Sequence, residues 1–331
     1  MSEREARFAF HAGLEWGDSE IAYRFGLAES AVSSHLTADL GDKGLRWEDV
    51  EPYGSIGVPL RSRWRLDELI GEVDEYFDLG AVIPRGAVVF DVGANIGAFA
   101  LAAARRCDSQ FELYCFEPVP PIFRALTANS QQNALLADVK TNLFQIALGA
   151  DPRTTGVNLS YFRSLPTDST IDIDSKRRDF EAFFAHHGSE LRKKAAPIVS
   201  DPVARAMGAF VTWMPTGAVG HWVSDRVSGR VEYECPMTTL STVVDQHDVR
   251  RIDLLKVDVE GAELDVLRGI HDAHWALIDQ VVLEGHDHDG ELDTIRSMLV
   301  RQGFEIVRLD RPNAAVDQGL PSFLIYARRP A

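Results

Sequence analysis

The sequence predicts an α/β fold, a mostly parallel sheet covered by helices on both faces and finished by an antiparallel strand. Three observations predict it. Short β-rich runs alternate with helical segments over residues 84–149 and 231–329. A glycine-bearing turn, Asp91-Val-Gly-Ala-Asn-Ile-Gly97, follows the first of those runs. The last two runs, Phe304–Leu309 and Phe323–Ala327, are joined by a loop without a helix, the arrangement that lets two strands pair antiparallel. Helical crossovers between the other runs demand parallel strands buried on both faces.

Taken in order, Val88–Asp91 is a short apolar run ended by Gly93 and reads as a buried strand. Ala98–Arg106 is alanine-rich and suits a helix. Phe111–Phe116 reads as a second strand, and Pro120–Gln132 as a helix with proline in its first turn. Leu143–Leu148 is a third strand and Val231–Cys235 an accessory one. Thr238–Gln246 is helical, Ile252–Val259 a fourth strand, and Ala262–Gly269 a helix stopped by glycine. Gln280–Glu284 is a fifth strand, and Glu291–Gln302 an amphipathic helix stopped by Gly303. Residues 1–80 read as a helical cap or dimerisation region ahead of the main domain, and the dimerisation reading would give a homodimer. Residues 150–230 read as an irregular insertion within the main domain, 81–331.

Charge narrows the partners. With 34 basic and 50 acidic side chains, the chain carries a net charge of −16, a field that repels a phosphate backbone and argues against nucleic acid. Cys107, Cys115 and Cys235 have no CxxC spacing, which suits a reducing cytoplasm and argues against a cysteine-based zinc site. The N-terminus lacks the apolar run of a secretory signal, and no apolar stretch approaches the length of a membrane span. A cytoplasmic protein without a membrane partner is the expectation.

The turn at 91–97 points to a ligand. In doubly wound sheets, ligands sit beyond the C-terminal strand ends. Gly93 permits a tight turn, Gly97 a close helix start, and the backbone N–H groups around Asn95 suit a polar ligand end. Glu117, in Phe116-Glu-Pro118 at the end of the second strand, suits the two hydroxyls of a ribose. Dinucleotide sites use a similar acid, but with G-x-G-x-x-G spacing rather than Gly93-x-x-x-Gly97. Asp91 suits an ammonium and would be badly placed beside a pyrophosphate. A nucleoside with an amino-acid tail fits better, which is the shape of S-adenosylmethionine (SAM). Pro118, Ile146, Ala147 and Asp258, at the second, third and fourth strand ends, complete the expected cofactor-binding set.

Taken together, Asp91–Gly97, Phe116-Glu-Pro118, Leu255-Lys-Val-Asp-Val-Glu-Gly-Ala-Glu-Leu-Asp-Val-Leu-Arg-Gly269 and Val282-Leu-Glu-Gly-His286 resemble the FkbM family of SAM-dependent methyltransferases. The resemblance covers about half the chain. It implies a Rossmann-like, seven-stranded class I methyltransferase sheet, SAM as donor, and O-methylation in polyketide, sugar or antibiotic pathways. Residues 1–80 and the long 150–230 segment, a lid in this reading, lie outside the matched core, so they would encode acceptor choice.

Methylating an alcohol calls for a base. His286 is the candidate, supported by Glu284, which shares its strand face, or by Glu260. Glu263 reads as an acid offsetting a helix dipole. A second reading joins Asp258, Glu284, His286 and Asp287 into a Mg²⁺ site; it is not favoured, and no metal ligands are assigned. N-methylation needs less help from a base. A regulatory SAM- or DNA-binding role would use residues 18–37, which have helix-turn-helix spacing through Ala22, Gly26 and Val32, although Glu29–Leu40 contains no Lys or Arg. In the insertion, Phe180, Phe183 and Phe184 lie on one helical face, and 210–222 is rich in aromatics and glycine. Lys176, Arg177, Arg178, Arg192, Lys193 and Lys194 would suit an acidic acyl or peptidyl carrier protein that delivers a small hydroxylated substrate, and Arg61, Arg63 and Arg65 around Trp64 raise the same prospect.

Overall fold

The computed structural model of the chain describes residues 45–59, 66–107, 110–162, 230–287, 290–310 and 322–330. Among them the first elements are β1 (Leu45–Val50), β2 (Gly54–Pro59) and α1 (Leu66–Asp78). Then come β3 (Ala87–Val92), α2 (Ala98–Arg106), β4 (Phe111–Phe116), α3 (Pro120–Gln132), β5 (Lys140–Phe144), β6 (Ala147–Leu148) and β7 (Gly156–Phe162). The C-terminal half adds β8 (Arg230–Thr238), α4 (Leu240–Gln246), β9 (Leu254–Val257), α5 (Glu263–Arg268), α6 (Asp272–Trp275), β10 (Gln280–His286), α7 (Glu291–Arg301), β11 (Glu305–Asp310) and β12 (Ser322–Arg328).

The main sheet has seven strands in the order β11-β12-β10-β9-β3-β4-β5. The β5, β4, β3, β9 and β10 pairings are parallel, and β12 runs antiparallel to both β10 and β11. This is the Rossmann-like, seven-stranded methyltransferase sheet, with the antiparallel strand β12 set between β10 and β11. Alternation along each strand sorts the core into two halves. Ala87, Val89, Leu254 and Val282 face the side covered by α1, α2 and α3. Phe90, Val92, Leu255, Val257 and Leu283 face the side covered by α4, α5 and α7. Helix α1 buries Leu66, Leu69, Val73 and Tyr76, a three-to-four-residue spacing that lays one apolar stripe on the sheet.

Two regions differ from the sequence reading. Residues 45–59 form an antiparallel hairpin, not helix. Its local signal is weak because β1 carries Arg46, Glu48 and Asp49 and has no clean apolar alternation. The hairpin is held from outside: Asn129 of α3 accepts from Gly57 N and donates to Gly57 O, while Asn133 donates to Tyr53 O and Ser55 O. The expected third strand over Leu143–Leu148 is split. It runs as β5 to Phe144 and then re-enters as β6 in a second sheet ordered β6-β8-β7. That sheet makes the ends of the insertion regular, with β7 and β8 paired from Gly156↔Pro236 to Phe162↔Arg230. The helix-turn-helix segment, the Phe180–Phe184 stripe, the 210–222 stretch and the basic groups of 61–65, 176–178 and 192–194 lie outside the described residues. Among the described residues no helix is long and apolar enough to cross a membrane.

Candidate active site

A cleft of about 700 Å³, open mouth included, lies at the C-terminal ends of β3, β4 and β9. Its lining is mixed. Phe116, Val119, Ile122, Ile146, Leu148, Leu159 and Met237 are apolar lining residues, of which the second sheet contributes Leu148, Leu159 and Met237. Gly93, Asn95, Glu117, Asp258 and Glu260 add backbone and polar groups. Of the residues expected to bind a cofactor, Gly93, Asn95, Glu117, Pro118, Ile146, Ala147 and Asp258 line the cleft, and Asp91 and Gly97 do not.

The turn after β3 is closed upon itself. Gly93 N and Ala94 N both donate to Phe116 O, Asn95 N to Glu117 Oε2, Ile96 N to Asn95 Oδ1, and Gly97 N to Ala94 O. The N–H groups expected to meet a ligand are therefore all used inside the protein. Gly93 has a more local reason to be glycine. Its φ is +79°, and a Cβ there would lie 1.6 Å from Asp258 O, so the two strand ends could not approach. Gly97, at φ +94°, starts α2 close against Leu126 of α3 and packs helices rather than touching the cleft.

Asp91 is fully buried. Strand register sets it opposite Lys256 on β9, whose Nζ lies 3.2 Å from Asp91 Oδ1, 3.3 Å from Asp258 Oδ2 and 2.7 Å from Gly93 O. The cation that meets Asp91 is thus a protein side chain below the cleft. Burial raises the Asp91 acid, and Lys256 offsets this only in part. Burial also opposes the charge on Lys256, but Asp258 and Asp91 outweigh it and hold the ammonium above the ordinary lysine value. Sequence reasoning missed Lys256. The available signal was a lone charge in Leu254-Leu-Lys-Val257, since a buried charge needs a partner.

Glu117 is held as a fixed carboxyl, accepting from Val119 N at 2.8 Å and Asn95 N at 3.2 Å. Burial pushes it up to about 7 against those two bonds. Glu263 accepts from Gly261 N at 2.9 Å and from Val259 N at 3.4 Å, so it clamps the turn after β9. Burial likewise pushes it up to about 7. Glu260 sits in that turn at φ +57° and lines the cleft.

Glu284 and His286 end β10 on the α1 face, outside the cleft walls. The hydroxyl of Tyr76 lies 2.6 Å from Glu284 Oε2. Tyr76 arrives from α1, a segment no motif marks. Among the described residues, no three His, Cys, Asp or Glu side chains are grouped to hold a metal ion, so Asp258, Glu284, His286 and Asp287 do not form the ligand set of the Mg²⁺ reading.

Comparison with known proteins places this architecture. The family model of the methyltransferase FkbM domain matches residues 91–306. The chain belongs to the FkbM methyltransferase family. Methyl transfer is the activity that accompanies that membership. Among curated relatives, Methyltransferase sdnD of Sordaria araneosa is 31% identical over 77% of this chain and 86% of its own length. The 31-O-demethyl-FK506 methyltransferase FkbM of Streptomyces tacrolimicus is 31% identical over 77% of this chain and 86% of its own. The AMB antimetabolite synthetase AmbE of Pseudomonas aeruginosa is 33% identical over 78% of this chain, a match spanning 11% of that protein. The FkbM match begins at Asp91 and takes in both strand-end turns, Lys256 and Glu284, while the hairpin and α1, with Tyr76, precede it.

Proposed function

We propose that this protein is a SAM-dependent O-methyltransferase acting on a hydroxyl of a small natural product. The observation that carries the reading is the make-up of the cleft, which brings Glu117, Asp258 and Glu260 together with apolar side chains at the strand ends. An adenine suits the apolar lining, a ribose suits Glu117, and a cationic amino-acid end suits Asp258. When bound there, SAM supplies an electrophilic methyl group on a sulfonium. The residues hold the donor, exclude water along Phe116, Val119 and Ile146, and take the acceptor's proton.

His286 is the base in this reading. It stands half-buried at the end of β10, next to β9 and its Asp258 turn, on the face it shares with Glu284. An imidazole nitrogen would accept the acceptor's O–H proton as its oxygen takes the methyl group, with the C–S bond broken and the donor released as the neutral thioether S-adenosylhomocysteine. Glu260 is the supporting carboxyl that lines the cleft. The 31-O-demethyl-FK506 relative favours oxygen as the acceptor atom, and the match within an antimetabolite synthetase favours a natural-product acceptor.

The test is methyl transfer from labelled SAM to free and carrier-bound hydroxylated acceptors, with the methylated atom identified by mass spectrometry and NMR. His286→Ala is expected to lower kcat by about 10²- to 10⁴-fold while leaving S-adenosylhomocysteine affinity within a few-fold. Normal turnover in that variant would remove His286 from the reaction, and methyl found on nitrogen would replace the O-methyl reading.

A further inference from the structure

Tyr76 poses a problem of proton counting. It is 2% exposed, in the last turn of α1, and its hydroxyl oxygen lies 2.6 Å from Glu284 Oε2 and 3.0 Å from Asp258 Oδ2. A phenol has a single proton to donate, so it cannot satisfy two carboxylates at once. One of the two contacts must be donated by a carboxyl. Asp258 already has the Lys256 ammonium at 3.3 Å as a partner. Glu284 is removed from water beside the charge of Asp258, with Glu72 of α1 adding repulsion, and its acid is pushed up to about 8. Glu284 is therefore the neutral partner near pH 7. The order that satisfies both contacts of the phenol runs from Glu284 O–H to the Tyr76 oxygen, then from Tyr76 O–H to Asp258. Lys256 continues it from Asp258 to Asp91, with its ammonium 5.9 Å over the Tyr76 ring.

We propose that Tyr76 is a positioning residue for the donor site, fixing Asp258 in the cleft wall through a hydrogen bond that is available only while Glu284 is protonated. The proposal rests on the donor-binding reading above. It makes α1, which lies before the family's matched region, part of the active site. It also separates two acids that look equivalent in the sequence: Asp258 is paired with Lys256 in the cleft lining, and Glu284 serves as a proton donor behind it.

The titratable and charged groups around Glu284 are Tyr76 and Glu72 from α1, Lys256 and Asp258 from β9 and its turn, and His286 two residues along β10. Its register partner on β12, Leu324, is apolar. When Glu284 loses its proton, two carboxylates compete for the one on Tyr76. The shorter contact wins, and Asp258 loses its anchor.

The experiment is calorimetric binding of S-adenosylhomocysteine to the full chain from about pH 6.5 to about pH 9.5, which requires no knowledge of the acceptor. Wild type is compared with Glu284→Gln, which fixes a neutral hydrogen-bonding group, and with Tyr76→Phe, which keeps the ring. The ligand's own amine titrates in every profile, so the difference between profiles is the readout. Wild-type affinity is expected to fall about threefold or more above pH 8 relative to Glu284→Gln, and Tyr76→Phe to bind about five- to tenfold more weakly near pH 7. Parallel wild-type and Glu284→Gln profiles, or Tyr76→Phe binding as wild type, overturn the proposal alone. A wild type that binds no S-adenosylhomocysteine overturns the donor-site reading, and the proposal with it.

Discussion

The turns after β3 and β9 are neighbours built on opposite plans. Both use left-handed backbone, at Gly93, Asn95 and Gly97 in one and at Glu260 and Gly261 in the other. They meet where Gly93 passes under the carbonyl of Asp258. The first turn spends its polar groups internally: its five N–H groups are bonded within the protein, and its acid, Asp91, is buried against Lys256. The second is clamped from behind by Glu263 and turns Asp258 and Glu260 toward the cleft. The more recognisable motif is thus scaffold, and the charge offered to a ligand comes from its neighbour.

Substituting the glycines tests that contrast most severely. Gly93→Ala combines left-handed strain with overlap against Asp258 O, and is expected to destabilise the fold by about 2–5 kcal/mol, summing strain of about 1–2 and overpacking of about 1–3. Gly261→Ala carries left-handed strain and should lose about 1–2 kcal/mol. Urea unfolding of both proteins checks this, and equal losses would mean that the strand ends do not depend on close approach.

Removing the shared cation comes next. Lys256→Met leaves two carboxylates uncompensated and should lose about 4 kcal/mol. Adding Asp91→Asn should recover more of that loss than adding Asp258→Asn, because the Asp91 side chain is 0% exposed and that of Asp258 27%. A larger rescue from Asp258→Asn would assign the lysine to the second turn.

The smallest effect is in pH. Glu117 and Glu263 are pushed up to about 7 by burial, against 4.5 for an ordinary glutamate, so each binds its proton more tightly folded than unfolded. The stability this confers is complete below about pH 4.5 and is lost as pH rises through about 7. The ligand-free protein should lose roughly 5 °C of Tm between about pH 5 and pH 8. Glu117→Gln and Glu263→Gln should each flatten part of that slope in calorimetric scans, and a Tm that rises over the range would reverse the assignment.

Much of the fold was legible because its signals are local. Alternating apolar runs mark β3, β4, β9 and β10, and Gly93, Gly97 and Gly269 mark the chain reversals. The antiparallel pairing of the last two strands was legible too. The hairpin at 45–59 was not, since Asn129 and Asn133, more than seventy residues away, hold it. Strand β7 was hidden for the same reason, as its partner β8 lies across the whole insertion.

The sequence by itself determined the strand-helix order, the two strand-end turns and the acids Glu117, Asp258 and Glu260 that border the cleft. It could do so because strand period, turn chemistry and motif spacing act within a few residues. Only the tertiary structure decided which acids are buried and what they meet. Register set Asp91 against Lys256, and packing of α1 brought Tyr76 to Asp258 and Glu284. The charge state of a buried group depends on neighbours brought by distant parts of the chain, and spacing along the chain does not contain that information.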